Sequence, residues 1–339
     1  MDFTSGDTPD RGHAAIVASG LVKRFGDVPA LDGIDFTVPP GTVFGLLGPN
    51  GAGKTTTVRI LTTILRPDSG EARVLGHDVA TEGAAVRNVI GLAGQYAAVD
   101  ENLTGAENLR MVGKLTHLPR ALIKERAVEL LERFDLTAAA NRPVKTYSGG
   151  MRRRLDLAAS LVHRPAVLFL DEPTTGLDPR SRSDLWGVIE DLVADGTTVL
   201  LTTQYLEEAD RLADYLAVVD HGRIIAQGTP AELKAGLGST VIEFGMPGEG
   251  SALMALQALA PLGVQPPTLD GTTVKLTVAD GPSILLDALR ALDTEGIAPT
   301  GVTLREPSLD DVFLSLTGHA AEESRGDGPT HDPALRGAA

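Results

Sequence analysis

The sequence predicts an α/β fold in which a largely parallel sheet carries helices on its faces, followed by a smaller α+β unit. Through residues 15–236, short apolar runs of β type alternate with helical runs, an order that favours a parallel sheet. One glycine-rich stretch, residues 48–55, follows an apolar run and precedes a helical run. From about residue 239 onward the order changes to strand, helix, strand, strand, helix, strand.

The elements of the first unit follow from local patterns. Thr104 and Glu107 have the spacing of a capping box, and residues 100–163 read as a helical subdomain inserted among the strands. Asp-His-Gly at residues 220–222 predicts a hairpin turn, and residues 229–232 combine a cap, a proline and a glutamate at a helix start. The predicted strands are residues 16–17, 33–38, 43–47, 89–93, 167–170, 197–202, 215–219 and 223–226.

The second unit is predicted to span residues 239–317. Its β-α-β-β-α-β order is ferredoxin-like, and no group of histidines, carboxylates or glycines in it indicates chemistry. We therefore expect an accessory unit with an interaction or regulatory role. A last helix is predicted over residues 308–316, with apolar side chains at Leu309, Val312, Phe313 and Leu316.

Composition excludes several functional classes. The chain of 339 residues contains no cysteine, which excludes disulfide bonds and thiol chemistry. A formal net charge of −15 argues against nucleic acid as a partner, because binding it requires Lys and Arg to neutralise phosphates. No run approaches the roughly 18 to 20 apolar residues that cross a bilayer. Residues 1–14 and 318–339 lack hydrophobic periodicity, and we expect a disordered leader and tail.

Residues 48–55 match the phosphate-binding loop pattern in full, in the strand–loop–helix context that the pattern requires. Glycines let successive backbone N–H groups curl around phosphate oxygens, and the helix start adds the positive end of its dipole. Lys54 is expected to reach the β- and γ-phosphates, and the Thr55 hydroxyl to bind magnesium. The stretch predicts binding of a nucleoside triphosphate. The predicted nucleotide-binding residues are Gly48, Pro49, Asn50, Gly51, Ala52, Gly53, Lys54, Thr55 and Thr56.

Two carboxylates follow a strongly apolar run. Residues 167–170 read as a strand buried on both faces, and Asp171 and Glu172 come at its carboxyl end. Ligands of parallel sheets bind at the carboxyl ends of the strands. Asp171 is therefore predicted to hold Mg²⁺, directly or through water. Glu172 is predicted to be the base or the water-positioning residue for attack on the γ-phosphate.

A second candidate anion site lies at Ser148, Gly149 and Gly150, before a helical run at residues 152–162. Ser148 is a good helix cap, and the glycines leave the first N–H groups of the helix uncovered. An ordinary capped helix start is the alternative reading of the triplet. Arg-Arg-Arg at residues 152–154 is expected to lie on a solvated face of this helix.

Four motifs occur in a characteristic order: the phosphate loop, Ser-Gly-Gly, the apolar strand with Asp-Glu, and Pro-Thr-Thr-Gly-Leu-Asp at residues 173–178. In this order they resemble the ATP-binding subunits of ABC transporters over residues 15–236. The resemblance implies a P-loop NTPase fold of ABC ATPase type, with ATP and Mg²⁺ as cofactors. It also implies a head-to-tail homodimer, in which Ser148 and Gly150 of one subunit close over ATP held by Lys54 of the other, with Asp178 coupling the two sites.

Three further positions are assigned by the same resemblance. Gln95 matches a glutamine that contacts magnesium, and Phe25 falls where the family places an aromatic ring against adenine. For Phe25, packing within the first sheet is the alternative. The family usually has a histidine after the strand at residues 197–202, where this chain has Gln204. A glutamine amide can donate a hydrogen bond to the γ-phosphate, but it cannot carry positive charge. Gln204 and Glu172 are the predicted catalytic residues.

Residues 94–96, 202–210 and 307–314 resemble a narrower branch, the daunorubicin/doxorubicin-resistance type of ATP-binding subunit. This resemblance implies ATP-driven efflux of a drug or natural product through a separate integral membrane permease. It also implies a location on the cytoplasmic face of the cell membrane. An importer ATPase is an alternative, and a soluble ABC ATPase acting on DNA or ribosomes is another.

Overall fold

The structure is a computed structural model that describes residues 14–94, 98–236, 240–278, 281–305 and 308–317. The strands are β1 (Ile16–Phe25), β2 (Val28–Val38), β3 (Val43–Leu47), β4 (Ser69–Val74), β5 (His77–Asp78), β6 (Ile90–Ala93), β7 (Val167–Asp171), β8 (Thr198–Thr203), β9 (Tyr215–Asp220), β10 (Arg223–Gly228), β11 (Thr240–Gly245), β12 (Thr268–Asp270), β13 (Thr273–Val278) and β14 (Gly301–Arg305). The α-helices are α1 (Lys54–Leu61), α2 (Gly83–Val89), α3 (Gly105–Leu115), α4 (Arg120–Arg133), α5 (Gly149–Ser160), α6 (Pro179–Ala194), α7 (Leu206–Leu212), α8 (Pro230–Gly236), α9 (Glu249–Leu259), α10 (Gly281–Thr294) and α11 (Leu309–Thr317).

A six-stranded sheet forms the centre of the first unit. Its strand order is β10-β9-β3-β8-β7-β6, parallel except for the antiparallel pair of β9 and β10. Every residue of β3, β7 and β8 is buried, as expected for strands covered on both faces. Alternate side chains of β7 enter different cores, Val167 and Phe169 on one face and Leu168 and Leu170 on the other.

A second, antiparallel sheet of the order β2-β1-β4-β5 packs on one face of the first. Its strands β4 and β5 were not predicted, because their sequences contain few apolar residues in alternation. The prediction for β1 was also too short. This strand pairs irregularly with β2 and carries Gly20 in a left-handed conformation, so its apolar alternation is interrupted.

Two helix starts and one hairpin turn that were predicted in the first unit are confirmed. The Glu107 N–H donates to Thr104 Oγ1 at 3.2 Å, and the Thr104 N–H donates to Glu107 Oε2 at 2.9 Å, which is a complete capping box at the start of α3. The same reciprocal pair links Thr229 and Glu232 at α8. Between β9 and β10, His221 and its neighbour adopt positive φ angles and make the predicted hairpin turn.

The second unit is an antiparallel sheet with the strand order β12-β13-β11-β14. Its elements follow the predicted β-α-β-β-α-β sequence, although β12 is only three residues long. The ferredoxin-like classification stays a prediction. Helices α9 and α10 cover one face, over a core that contains Ile242, Phe244, Val274, Leu276 and Val278.

Helix α11 does not belong to the core of the small sheet. It contacts α7 and α8, and its buried residues Leu309, Val312 and Phe313 join the larger core of the first unit. Ser308 caps it, since Ser308 Oγ accepts a hydrogen bond from the Asp311 N–H at 3.2 Å. The last helix of the segment predicted as the second unit, residues 239–317, therefore packs on the first unit instead.

A buried carboxyl group joins α6 to α7. Glu208 is 0% exposed, and its Oε1 accepts a hydrogen bond from Trp186 Nε1 at 3.1 Å. Burial raises the pKa of the Glu208 carboxyl above its ordinary value. Two cation–π contacts add to the junction: the Arg182 guanidinium lies 4.8 Å from the Tyr205 ring centre, and that of Arg211 lies 5.0 Å from the Trp186 ring.

Replacing Phe313 with alanine tests the packing of α11. The buried ring contacts the core of the first unit, so Phe313→Ala should lower the free energy of unfolding by about 3–5 kcal/mol. Its neighbour Leu314 is 49% exposed, so Leu314→Ala should change this free energy by less than about 0.5 kcal/mol. Denaturant unfolding of the full chain measures both. Equal losses in the two variants would contradict the placement of α11.

Replacing Glu208 with glutamine tests the buried carboxyl. Because the folded-state pKa is raised, the fold favours the protonated form, and stability is lost as pH rises from the unfolded pKa through the folded one. A neutral glutamine keeps an acceptor for Trp186 and avoids this loss. The melting temperature of Glu208→Gln should therefore exceed that of the parent by a few degrees near pH 8, and by less near pH 5. The exposed neighbour serves as the control, because Glu207→Gln should show no such pH dependence.

Candidate functional site

The glycine-rich loop connects β3 to α1 at the carboxyl edge of the central sheet. Two of its glycines are required by close packing. A Cβ at Gly48 would lie 2.2 Å from the Val219 carbonyl oxygen, and one at Gly53 would lie 2.6 Å from the Ala30 carbonyl oxygen. Gly53 also has a φ of 112° and caps α1 without a side-chain hydrogen bond. Gly53 itself has no side chain that would cover the first N–H groups of α1, which suits an anion site.

Lys54 is the buried cation of the loop. Its side chain is 4% exposed, and Nζ donates hydrogen bonds to the carbonyl oxygens of Gly48 at 2.7 Å and Pro49 at 3.1 Å. The same nitrogen lies 3.8 Å from Glu172 Oε1. The lysine predicted to bind phosphates and the glutamate predicted to act in hydrolysis are therefore neighbours.

Asp171 connects three elements at the same edge of the sheet. Its Oδ1 accepts hydrogen bonds from Thr55 Oγ1 at 3.1 Å and from Thr202 Oγ1 at 2.6 Å. Two of the three predicted magnesium ligands, Thr55 and Asp171, are thus within hydrogen-bonding distance of each other. Hydroxyl and carboxylate oxygens suit a hard divalent cation, so these residues fit Mg²⁺. Gln95, the third predicted ligand, lies outside the described residues.

Glu172 follows β7 with an unusual backbone conformation. Its φ is +50°, in the left-handed region that side chains with a Cβ rarely adopt. Its N–H donates to Thr202 through both the carbonyl oxygen at 3.1 Å and Oγ1 at 3.0 Å. Its Oε2 accepts from Thr175 Oγ1 at 3.4 Å, and the residue is 9% exposed. A strained backbone therefore carries the carboxylate that faces Lys54.

Gln204 begins the segment that follows β8. Since β8 lies between β3 and β7, this segment leaves the sheet next to both the glycine-rich loop and Asp171. The side chain is half-buried, and its Oε1 is buried without a hydrogen-bond partner among the described residues. A buried amide oxygen without a donor is uncommon, whereas the hydrogen bond predicted to the γ-phosphate uses the NH₂ group of the same amide.

The predicted residues of the second anion site form a separate group. Ser148 caps α5, with Oγ accepting from the Met151 N–H at 3.2 Å, and both Ser148 and Gly149 are exposed. A Cβ at Gly150 would lie 2.9 Å from Ser181 Oγ.

Asp178 belongs to this second group through Ser181. Its Oδ1 accepts from the Ser181 N–H at 3.0 Å and its Oδ2 from Ser181 Oγ at 2.7 Å, which caps α6. These hydrogen bonds lower the pKa of the Asp178 carboxyl. Ser148 and Asp178 each cap a helix start, and Ser181 lies beside both Asp178 and Gly150, so these residues form one group at the starts of α5 and α6.

Phe25 is the last residue of β1. The residue is 49% exposed, and Lys23 Nζ lies 5.8 Å from the ring centre. Packing within the first sheet, the alternative, therefore covers only part of this side chain. An adenine contact for Phe25 stays a prediction.

Arg153 was not recognised from the sequence, and the expectation that it is solvated is wrong. It is 8% exposed and donates hydrogen bonds to main-chain carbonyl oxygens at the end of β7 and at Gly94. The helical repeat could have indicated the burial of Arg153. Asp156 and Leu157, three and four residues later, lie on the same face of α5 and are buried. Arg152, by contrast, has a side chain that is 39% exposed.

The length and apolar character of the helices bear on membrane insertion. Within residues 14–94, 98–236, 240–278, 281–305 and 308–317, no helix has the length and apolar character that crossing a bilayer requires.

Comparisons with known proteins identify relatives. A family profile described as ABC transporter matches residues 31–175. The chain is 55% identical over 304 residues to the daunorubicin resistance ATP-binding protein DrrA3 of Streptomyces coeruleorubidus, covering 90% of this chain and 96% of that protein. It is 53% identical over 310 residues to the daunorubicin/doxorubicin resistance ATP-binding protein DrrA of Streptomyces peucetius, covering 91% and 94%.

A solved structure of an ABC transporter component has a similar fold. The protein cbiO1 from Clostridium perfringens, described as part of the ABC transporter complex cbiONQ, has a TM-score of 0.61 at 28% identity, over 66% of this chain and 91% of that one. The predicted P-loop NTPase fold of ABC ATPase type is confirmed. Since the curated relatives are matched over nearly their whole length, the chain belongs to the family of ABC transporter ATP-binding proteins.

Proposed function

We propose that this chain is the ATP-hydrolysing subunit of an exporter, which powers efflux of a drug or natural product through a separate membrane permease. The observation that carries the proposal is the grouping of Lys54, Asp171 and Glu172 at one edge of the central sheet, beside the glycine-rich loop. In phosphoryl transfer the protein mainly positions the reactants and stabilises charge, and this group provides both functions.

The loop and Lys54 bind the phosphates of ATP. The backbone N–H groups at the start of α1 donate to phosphate oxygens, and the Lys54 ammonium is held over the loop by the carbonyl oxygens of Gly48 and Pro49. Thr55 and Asp171 are the residues that would hold Mg²⁺. When bound, this ion neutralises charge on the β- and γ-phosphate oxygens. The Thr202 hydroxyl fixes the Asp171 carboxylate for that role.

Glu172 orients the attacking water and accepts its proton. Its carboxylate lies at the same edge of the sheet as the loop, and a hydrogen bond donated to Thr202 and one accepted from Thr175 restrict the residue. Gln204 donates an amide hydrogen to the γ-phosphate, where the family usually has a histidine. Because an amide cannot take up a proton at neutral pH, the acid–base step depends on Glu172.

Hydrolysis takes place in a head-to-tail homodimer. The group formed by Ser148, Gly150 and Asp178 has a helix start suited to anions, and Ser148 and Gly149 are exposed there. When two chains pair, the glycine-rich loop of one chain and the Ser148 group of the other act on the same triphosphate. Each chain then covers the ATP of its partner. A C2 dimer satisfies both copies at once.

The membrane partner and the direction of transport follow from the relatives. Both resistance proteins named above match about nine tenths of this chain, over 304 and 310 residues, so the match extends well beyond the first unit at residues 15–236. We infer a cytoplasmic, membrane-peripheral location through the permease, with residues 15–236 as the ATPase domain and 239–317 as an accessory domain. A net charge of −15 disfavours nucleic acid as a partner.

Replacing Glu172 with glutamine tests the catalytic assignment. Glu172→Gln should lower the rate constant for ATP hydrolysis by on the order of 10²–10⁴-fold, since a proton acceptor is lost while the phosphate-binding loop is kept. Steady-state phosphate release and the affinity for a fluorescent ATP analogue measure the two effects. Glu207→Gln, at an exposed site on α7, should retain the parent rate. A fully active Glu172→Gln variant would refute the assignment.

The dimer is tested in the same hydrolysis-deficient background. With ATP and Mg²⁺, Glu172→Gln protein should sediment as a dimer, and with ADP as a monomer, because only the triphosphate reaches the helix start of the partner. Adding Ser148→Arg should keep the protein monomeric with ATP, since the long side chain blocks the exposed start of α5. A dimer that forms equally well with Ser148→Arg would contradict the head-to-tail arrangement.

A further inference from the structure

We infer that Arg153 is a positioning residue for ATP hydrolysis, which holds the backbone that carries Glu172 and ties it to the helix that begins after Ser148. The inference rests on the proposed role of Glu172. Arg153 does not touch the loop that binds phosphate, so any effect on the reaction passes through the main chain of its neighbours.

The guanidinium of Arg153 binds three consecutive carbonyl oxygens. Its Nε donates to Pro173 at 2.7 Å, and its Nη2 donates to Glu172 at 3.2 Å and to Asp171 at 3.3 Å. Its Nη1 donates to the carbonyl oxygen of Gly94, directly after β6. One side chain therefore joins α5 to the ends of two neighbouring strands, β6 and β7.

This stretch of backbone needs such support. Glu172 has a left-handed φ of +50°, and a conformation of this kind persists only where the surroundings hold it in place. Buried carbonyl oxygens also require donors, and the planar guanidinium offers five N–H groups in a fixed arrangement. A lysine ammonium has only three and lacks that fixed plane, so it does not replace arginine at this position.

Asp156, on the same helix, balances the charge of Arg153. Arg153 Nη1 lies 3.6 Å from Asp156 Oδ2, and both side chains are nearly fully buried. Burial lowers the pKa of Arg153 and raises that of Asp156. Asp156 Oδ1 also accepts a hydrogen bond from the Ala98 N–H at 2.7 Å. A buried ion pair of this kind contributes little net stability, so its use lies in fixing geometry.

Arg153 connects two parts of one chain that are proposed to act on two different ATP molecules. Helix α5 begins after Ser148, which is proposed to cover the ATP of the partner, and Arg153 lies five positions further along it. Through Arg153 the same helix holds the backbone of Glu172, which acts on the ATP of its own chain. Movement of α5 against the partner is thereby transmitted to the catalytic carboxylate.

A double-mutant cycle with Glu172 tests the inference in the full chain. Arg153→Gln should lower kcat by on the order of tenfold to a hundredfold, with KM and ATP affinity nearly unchanged, because the carboxylate is displaced while the loop is intact. Against a Glu172→Gln background it should cause no further loss in single-turnover hydrolysis, since there is no carboxylate left to position. Arg153→Lys should remain impaired.

The controls separate positioning from loss of fold. Arg152→Gln changes the preceding, more exposed arginine of the same helix and should match the parent. If Arg153→Gln alone does not fold, the double variant Arg153→Gln/Asp156→Asn removes both buried charges together and should show the same drop in kcat. A melting temperature near that of the parent identifies the folded variant to be used.

Three outcomes would overturn the inference. They are a parent-like kcat in the folded Arg153 variant, a raised KM in place of a lowered kcat, or an equal further loss in the Glu172→Gln background. A Glu172→Gln variant with full activity would instead overturn the proposed role of Glu172, so the two failures are distinguishable.

Discussion

The parallel register of β3, β8 and β7 is the constraint on which the site depends. Leu46 of β3 pairs with Thr202 of β8, and Thr202 pairs with Asp171 of β7, so the three strands end together at one edge. The glycine-rich loop leaves from the first strand, and Glu172 follows the last. Hydrogen bonds from Thr55 and Thr202 to Asp171 then fix the spacing between loop and strand. A shift of one residue in this register would separate Lys54 from the carboxylates.

The helix pair α6–α7 links the two groups of predicted functional residues to each other. Asp178 caps the start of α6, and Gln204 lies just before α7. The buried contact between Trp186 and Glu208 fastens these helices together, with the Arg182–Tyr205 contact beside it. The surface proposed to meet a partner and the segment proposed to meet the γ-phosphate are therefore connected through one pair of packed helices.

How much the sequence predicts depends on the range of the interactions. The phosphate loop, the Asp171 strand end and the caps at Thr104 and Thr229 are set by neighbours in the chain, and these features were predicted. Arg153 was misjudged because its burial depends on how α5 packs against the end of β7, which adjacent residues do not specify. The placement of α11 on the first unit was missed for the same reason, since its apolar face alone does not indicate which surface it covers.

The left-handed φ of Glu172 has an evolutionary consequence. For a residue with a Cβ this conformation is unfavourable by roughly 1–2 kcal/mol, whereas glycine adopts it readily. The side chain opposes a substitution that would relax the chain, because it accepts a hydrogen bond from Thr175 and faces the buried Lys54 ammonium. A copy of this gene released from selection for turnover would therefore gain backbone freedom with glycine at this position but lose the carboxylate that faces a buried charge. Inactive relatives with a relaxed backbone here are expected to have changed the lysine as well.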